Sequence, residues 1–213
     1  QIYALCGDFR ADWSENLPGT DRDGDGSATE APAIYDQAAG HHVQPVGASV
    51  AQRLSAQAAF NNHDAIKQFV GLATPAAYSP FTAIGPSLEL WVVGRFRSLS
   101  GTDAFFVRGA GCFSLGRLAA GNLAWGFDGT EETLSPIGDT GVHVLRLVVD
   151  AEASGLWVDG TQVASGTLPA AALTRWEFPA ADVEWTRVLA YSRRLTTPEA
   201  ADVLTWLQGV YVP

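Results

Sequence analysis

From Leu88 to Tyr191 apolar residues recur in short segments separated by glycine-bearing turns, which is the rhythm of an antiparallel β protein. Leu88 to Phe96 (LELWVVGRF) mixes alternation with a central apolar run and predicts a strand of a sandwich. Ala104 to Arg108, Cys112 to Arg117 and Leu123 to Asp128 read as a meander. Val142 to Asp150 predicts a strand with Val142, Val144, Leu147 and Val149 turned inward. Leu156 to Val158 and Thr161 to Ala164 flank Asp159-Gly160, and Asp-Gly supplies the positive φ angles of a tight hairpin. Val183 to Tyr191 is the last predicted strand. A short helix closes the chain, with Ala200, Val203, Leu204 and Leu207 on one apolar stripe and Trp206 near its edge. Pro198 at the first helical position makes Thr197 the N-cap. The alternative is Thr196 as cap with Glu199 as its capping-box partner. Residues 1–45 look irregular, and Ala48 to Ala59, rich in Ala, Gln and Ser, reads as a short helix or a loop.

Composition narrows the picture. The 213 residues are 47% apolar, enough to bury one large core, and the 22 glycines and 11 prolines suit frequent turns. Net charge is −10, with Lys67 the sole lysine and no basic run, which argues against nucleic acid and anionic membrane as partners. No apolar run reaches membrane-spanning length. The chain has no methionine, so either residue 1 is not the translation start or the N-terminus was processed, and a module cut from a longer polypeptide is one of the readings open. Cys6 and Cys112 lack metal-site spacing and read as buried thiols, with one disulfide as the alternative.

Three segments carry a family resemblance. Leu156-Trp157-Val158-Asp159-Gly160-Thr161-Gln162-Val163-Ala164-Ser165-Gly166 resembles the hairpin of concanavalin A-like, laminin G-like domains. Val188-Leu189-Ala190-Tyr191-Ser192-Arg193-Arg194-Leu195-Thr196 with Glu199 resembles their closing strand-to-helix element. Tyr35 to His42 and Ala59 to Ile66 resemble their N-terminal loop and strand, with Phe69-Val70-Gly71 where Phe-Asp-Gly is usual. The resemblance implies a jelly roll of two packed antiparallel sheets, all-β with one short C-terminal helix. It would form a single domain over residues 1–213, with 1–32 as an irregular lead-in. By family habit it implies a non-catalytic module that binds a glycan or cell-surface polysaccharide, set in a larger assembly such as a phage tail, fibre or capsid decoration. The same habit implies a virion or extracellular location. A decoration subunit that binds only other structural proteins of its assembly, or copies of itself, is the second expectation.

Candidate chemistry is sparse. Asp21, Asp23 and Asp25 alternate before Gly26, the pattern by which a short loop wraps Ca²⁺ in hard oxygen ligands. The twelfth position from Asp21 is Pro32, so the loop is no EF-hand, and Glu30 or Asp36 would have to close the cage. Trp125 and Asp128, at the end of a predicted strand, suggest a stacking platform with a carboxylate for saccharide, while Trp91, Trp157 and Trp185 read as core. A glycoside hydrolase, the enzymatic rival on this fold, needs two carboxyls facing one bond, about 5 Å apart when retaining. The pairs Asp182/Glu184 and Glu131/Glu132 lack the expected spacing and read as surface charge. Nucleophile machinery is thin among His41, His42, His63 and His143: His41-His42 with Asp36 or Asp64 is a minor transition-metal alternative, disfavoured because adjacent residues do not share a face of a regular element, and Ser114 lacks a G-x-S-x-G elbow. If the acidic loop is a calcium site, millimolar Ca²⁺ gives a binding isotherm by calorimetry and raises the melting temperature. Silence in both sinks it.

Overall fold

The computed structural model describes residues 5–11, 38, 44–45, 51–68, 75–84, 87–99, 103–109, 113–118, 122–127, 130–136, 139–168, 173–179 and 182–213. Their strands form two antiparallel sheets. The first contains β1 (Leu5–Arg10), β3 (Ala51–Gln57), β4 (His63–Gln68), β6 (Leu88–Phe96), β11 (His143–Val149), β12 (Ser154–Val158), β13 (Thr161–Gly166) and β15 (Val183–Tyr191). Its order is β13-β12-β11-β6-β15-β4-β3, and β1 also pairs with β15. Strands β4 and β1 share one edge of β15 end to end, β4 along 183–185 and β1 along 187–191. The second sheet contains β2 (Gln44–Pro45), β5 (Pro75–Ile84), β7 (Ala104–Gly109), β8 (Phe113–Arg117), β9 (Asn122–Phe127), β10 (Thr130–Pro136) and β14 (Leu173–Pro179). It is ordered β10-β9-β8-β7-β14-β5-β2. Helix α1 (Thr197–Tyr211) closes the chain. The expected two-sheet sandwich with a C-terminal helix is what forms.

The central strands β6 and β15 of the first sheet are buried on both faces, which explains why LELWVVGRF carries more apolar residues than alternation alone requires. Leu88, Leu90, Val92 and Phe96 face the second sheet, while Trp91 and Val93 face the helix. Between the sheets, Phe9 meets Trp176 and Phe178 at 5.9 and 5.4 Å, and Phe178 meets Trp185 at 5.3 Å. Rings at these separations add edge and offset contacts to simple area burial. On β15 the inward set is Val183 and Trp185, then Val188 and Ala190. The change of parity coincides with a register irregularity between Trp185 and Arg187 against β6. An extra residue in one strand turns every later side chain over. The helix-side face therefore receives Glu184 before the irregularity and Arg187, Leu189 and Tyr191 after it. On β11 the inward residues are Leu145, Leu147 and Val149, and Val144 lies under the helix, which corrects the single inward set expected there.

Other expectations move as well. Ala48 to Ala59, read as helix or loop, supplies β3 and a 3-10 turn over Ala58–Phe60. Asn61 and Asn62 then turn the chain at φ 52° and 65°, left-handed values that asparagine tolerates. Glu131 and Glu132 lie within β10, and Trp176 is buried in β14. Thr196, not Thr197, caps the helix: its backbone N–H and its hydroxyl both donate to a Glu199 carboxylate oxygen, at 2.8 and 2.9 Å. Arg193 grips the same carboxylate with two nitrogens at 2.7 and 2.8 Å. The Arg193 hydrogen bonds, then that of Thr196, pull the Glu199 pKa down to about 2. Cys6 falls in β1, but its side chain and Cys112 lie outside the described residues.

Asp159 and Gly160 turn the β12–β13 hairpin at φ 50° and 87°, the two positive angles the Asp-Gly pair predicts. The Asp159 carboxylate ties the turn to β11 twice, beside the backbone bond from Asp159 N–H to the Val144 carbonyl at 2.9 Å. Val144 N–H donates to the Asp159 carboxylate at 2.8 Å, and His143 Nδ1 meets its other oxygen at 2.7 Å. His143 Nε2 meets Asp139 at 3.0 Å. A neutral imidazole has one N–H to donate, so both contacts are satisfied together only when His143 is protonated. The Asp159 hydrogen bond chiefly, then that of Asp139, raises the His143 pKa against the opposing effect of burial. Stability from this bridge is present in full below the unfolded histidine value, near about 6.5, and is lost as pH rises through the raised folded value. The melting-temperature gap between the native chain and H143N is therefore larger at pH 5.5 than at pH 8.5. An equal gap at both would refute the bridge.

Candidate functional site

One row of the helix-side face crosses four strands. The register places Trp91 of β6 opposite Arg146 of β11, Arg146 opposite Trp157 of β12, and Trp157 opposite Gln162 of β13. Side chains directly opposite on one face touch. The Arg146 guanidinium accordingly lies 5.3 Å from the Trp91 ring and 4.5 Å from the Trp157 ring, a cation between two indoles. Trp91 is 2% exposed, while Trp157 is only half-buried. Gly155, one pleat along, gives the Trp157 ring room to lie down: a Cβ there would come within 2.8 Å of the indole.

Glu89 holds this row in place. It is fully buried, and each carboxylate oxygen accepts two hydrogen bonds. Oε1 takes Trp91 Nε1 at 2.8 Å and Arg146 Nε at 3.0 Å. Oε2 takes Arg146 Nη2 at 2.9 Å and the Leu195 backbone N–H at 2.9 Å. A buried carboxylate is tolerable when its charge is matched and its lone pairs are filled, and here both conditions are met. Arg146 Nη1 makes no hydrogen bond among the described residues.

Helix α1 stands opposite the Trp-Arg-Trp row. Thr197, Ala200, Ala201 and Leu204 form one wall, Trp91, Arg146 and Trp157 the other, and Gly160 of the hairpin closes one end. Together they enclose an open cleft of about 230 Å³. A parallel arrangement anchors the far side of the helix. Buried Arg187 donates to Asp8 at 2.7 Å and to the Tyr211 hydroxyl at 2.8 Å, with its guanidinium 4.5 Å from the Trp206 ring.

Of the sequence-predicted site residues, only Trp125 is among the described residues. Trp125 is 1% exposed and belongs to the cluster between the sheets, with its indole N–H unpartnered among the described residues. This corrects the expectation of a stacking platform there: a covered indole offers no face to a sugar. Asp128 lies outside the described residues, as do Asp21, Asp23 and Asp25. Among the described residues no group of three or more His, Cys, Asp or Glu converges as a metal site. Asp182 and Glu184 are ion-paired, Asp182 with Arg97 at 3.1 Å and Glu184 with Arg95 at 2.6 Å. Trp91 and Trp185 are core residues as read, but Trp157 is not fully covered. Sequence reasoning passed over Glu89 and Arg146. The signal was there, since each is a charge flanked on both sides by apolar residues within a strand pattern. Their partners depend on strand register, which no local pattern supplies.

No protein-family model matches the sequence, and no curated protein matches it. Solved structures do share the fold. The Trypanosoma rangeli sialidase in complex with 2,3-difluorosialic acid superposes with a TM-score of 0.66 at 12% identity, over 97% of this chain and 33% of that one. The binding domain of botulinum neurotoxin DC, in complex with rat synaptotagmin II, gives 0.64 at 8% identity, over 96% of this chain and 52% of that one. Botulinum neurotoxin type C, whose cell entry depends on interaction with two ganglioside molecules, gives 0.61 at 8% identity, over 84% and 51%. The chain thus spans about half the length of these toxin chains and a third of the sialidase. At such identities the likeness is one of fold.

Breaking the Glu89–Arg146 pair by E89Q strands a largely buried guanidinium, at a cost of about 3 kcal/mol in chemical denaturation. The double variant E89L/R146M recovers part of that loss. A loss under about 1 kcal/mol for E89Q would show that the pair is not structurally needed.

Proposed function

We propose that the chain is a non-catalytic carbohydrate-binding module whose site is the cleft between the Trp91-Arg146-Trp157 row and helix α1. The observation that carries this reading is Trp157: a partly exposed indole, braced by a guanidinium, on a strand at the mouth of an open cleft. Sugar rings stack their C–H faces on such indoles and bond their hydroxyls to nearby donors. Here Arg146 is the donor within the row, and Gln162 stands next to Trp157 on β13. Binding is favoured over hydrolysis because Glu89, the carboxylate behind the cleft, has its lone pairs committed. General acid catalysis needs a carboxyl free to give and take a proton. The ganglioside-dependent toxin and the sialidase that share the fold are consistent with saccharide recognition on this scaffold. A place on a virion or cell surface, within a larger assembly, completes the proposal.

A purely protein-binding role has one observation in its favour, the exposed Trp206 on helix α1. Among the described residues the large apolar side chains left exposed are Val163 and Trp206, which sit on different elements. A broad protein interface usually presents a contiguous apolar patch. The glycan reading is therefore preferred. On a glycan array and in tryptophan-fluorescence titration the native chain gives saturable binding, and W157A, checked for unchanged far-UV circular dichroism, loses at least tenfold in affinity. Equal binding by W157A would move the site elsewhere.

A further inference from the structure

The walls of the cleft are chemically unequal. One offers the Trp157 ring and the Arg146 guanidinium. The other is Ala200, Ala201 and Leu204, three aliphatic side chains with no polar atom, and only Thr197 adds a hydroxyl. A plain hexose carries hydroxyls around its whole rim. Laid on Trp157, it would turn one hydroxylated edge toward the aliphatic wall, and a desolvated hydroxyl without a partner is penalised. A substituent that ends in a methyl group but starts with a polar amide has no such conflict.

Arg146 supplies the matching donor. Two of its nitrogens are held by Glu89, and Nη1 is left without a hydrogen bond among the described residues. A guanidinium N–H is a strong donor to an amide carbonyl. The charge balance points to a neutral ligand, because Arg146 is neutralised by a fully buried carboxylate at 2.9 Å and the chain as a whole carries −10. The volume, about 230 Å³, lies below the range of extended-ligand pockets and suits one substituted ring.

Building on the carbohydrate-binding reading above, we infer that the cleft selects a neutral N-acetylated amino sugar. The ring stacks on Trp157, the acetamido carbonyl accepts from Arg146 Nη1, and the acetyl methyl rests against Ala200, Ala201 and Leu204. Thr197 supplies the hydroxyl at the edge of that wall.

The test titrates the full chain, by saturation-transfer NMR and tryptophan fluorescence, with methyl glycosides of glucose and galactose, their N-acetylamino counterparts, and N-acetylneuraminic acid. The N-acetylamino glycosides bind at least tenfold more tightly than the plain hexosides, with the strongest saturation transfer on the acetyl methyl. A201L, at an exposed position of the helix, fills the methyl corner and removes that preference. Equal affinity for acetylated and plain hexosides overturns the inference and leaves carbohydrate binding standing. Tighter, salt-sensitive binding of N-acetylneuraminic acid overturns the neutral-ligand claim alone. If none of these saccharides binds, the carbohydrate reading falls with it.

Discussion

Glu89 is the group on which the helix-side face depends. A carboxylate with no solvent exposure must find its full complement of donors inside the protein, or its ionised form becomes untenable. The four donors it finds come from three places in the chain: its own strand through Trp91, the neighbouring strand through Arg146, and the helix entry through the Leu195 N–H. One buried charge thereby aligns two strands and positions the residues that lead into α1. The rotamers of Trp91 and Arg146 are set by the same bonds, so the floor of the cleft is organised before any ligand arrives. Pre-organisation of this kind reduces the ordering cost of binding.

The second ion pair repeats the logic where the helix ends. Arg187 is buried beneath Trp206 and held by Asp8 and Tyr211, so β1, β15 and the last turn of α1 are joined through one guanidinium. Asn61 adds a bond from the β3–β4 turn to the Val210 carbonyl at 2.9 Å. The amphipathic stripe of Ala200, Val203, Leu207 and Tyr211 gives the helix its apolar adhesion, and these polar ties determine where it sits. That placement also sets one wall of the cleft.

Neighbours of the same fold recognise quite different partners, a reminder that a sandwich supplies rigidity and a site supplies function. The features that bear on function here belong to this chain's own residues. Arg146 lies between two indoles, its charge is cancelled from below, and an aliphatic wall faces it. None of these follows from the two-sheet architecture.

Local patterns carried the fold a long way. Leu88–Phe96 and Val183–Tyr191 form strands over the same residues that the apolar rhythm marked, and the Asp159-Gly160 turn takes the dihedrals its residues favour. These features are short-range: side-chain period, turn chemistry and helix capping are decided within a few residues of chain. Ala51–Gln57, by contrast, has weak β preference of its own and is a strand because β4 pairs with it. The site lay almost wholly beyond reach. Trp125 looked like a surface aromatic next to a turn and is core, while Trp157 looked like core and stands at the cleft. A strand pattern tells which residues share a face, but not whether that face meets a second sheet, a helix or solvent. The sequence by itself determined the strands, the hairpin and the apolar stripe of the helix. Tertiary structure alone decided that Trp91, Arg146 and Trp157 form one row over Glu89, because cross-strand register and helix placement are set by contacts between residues far apart in the chain.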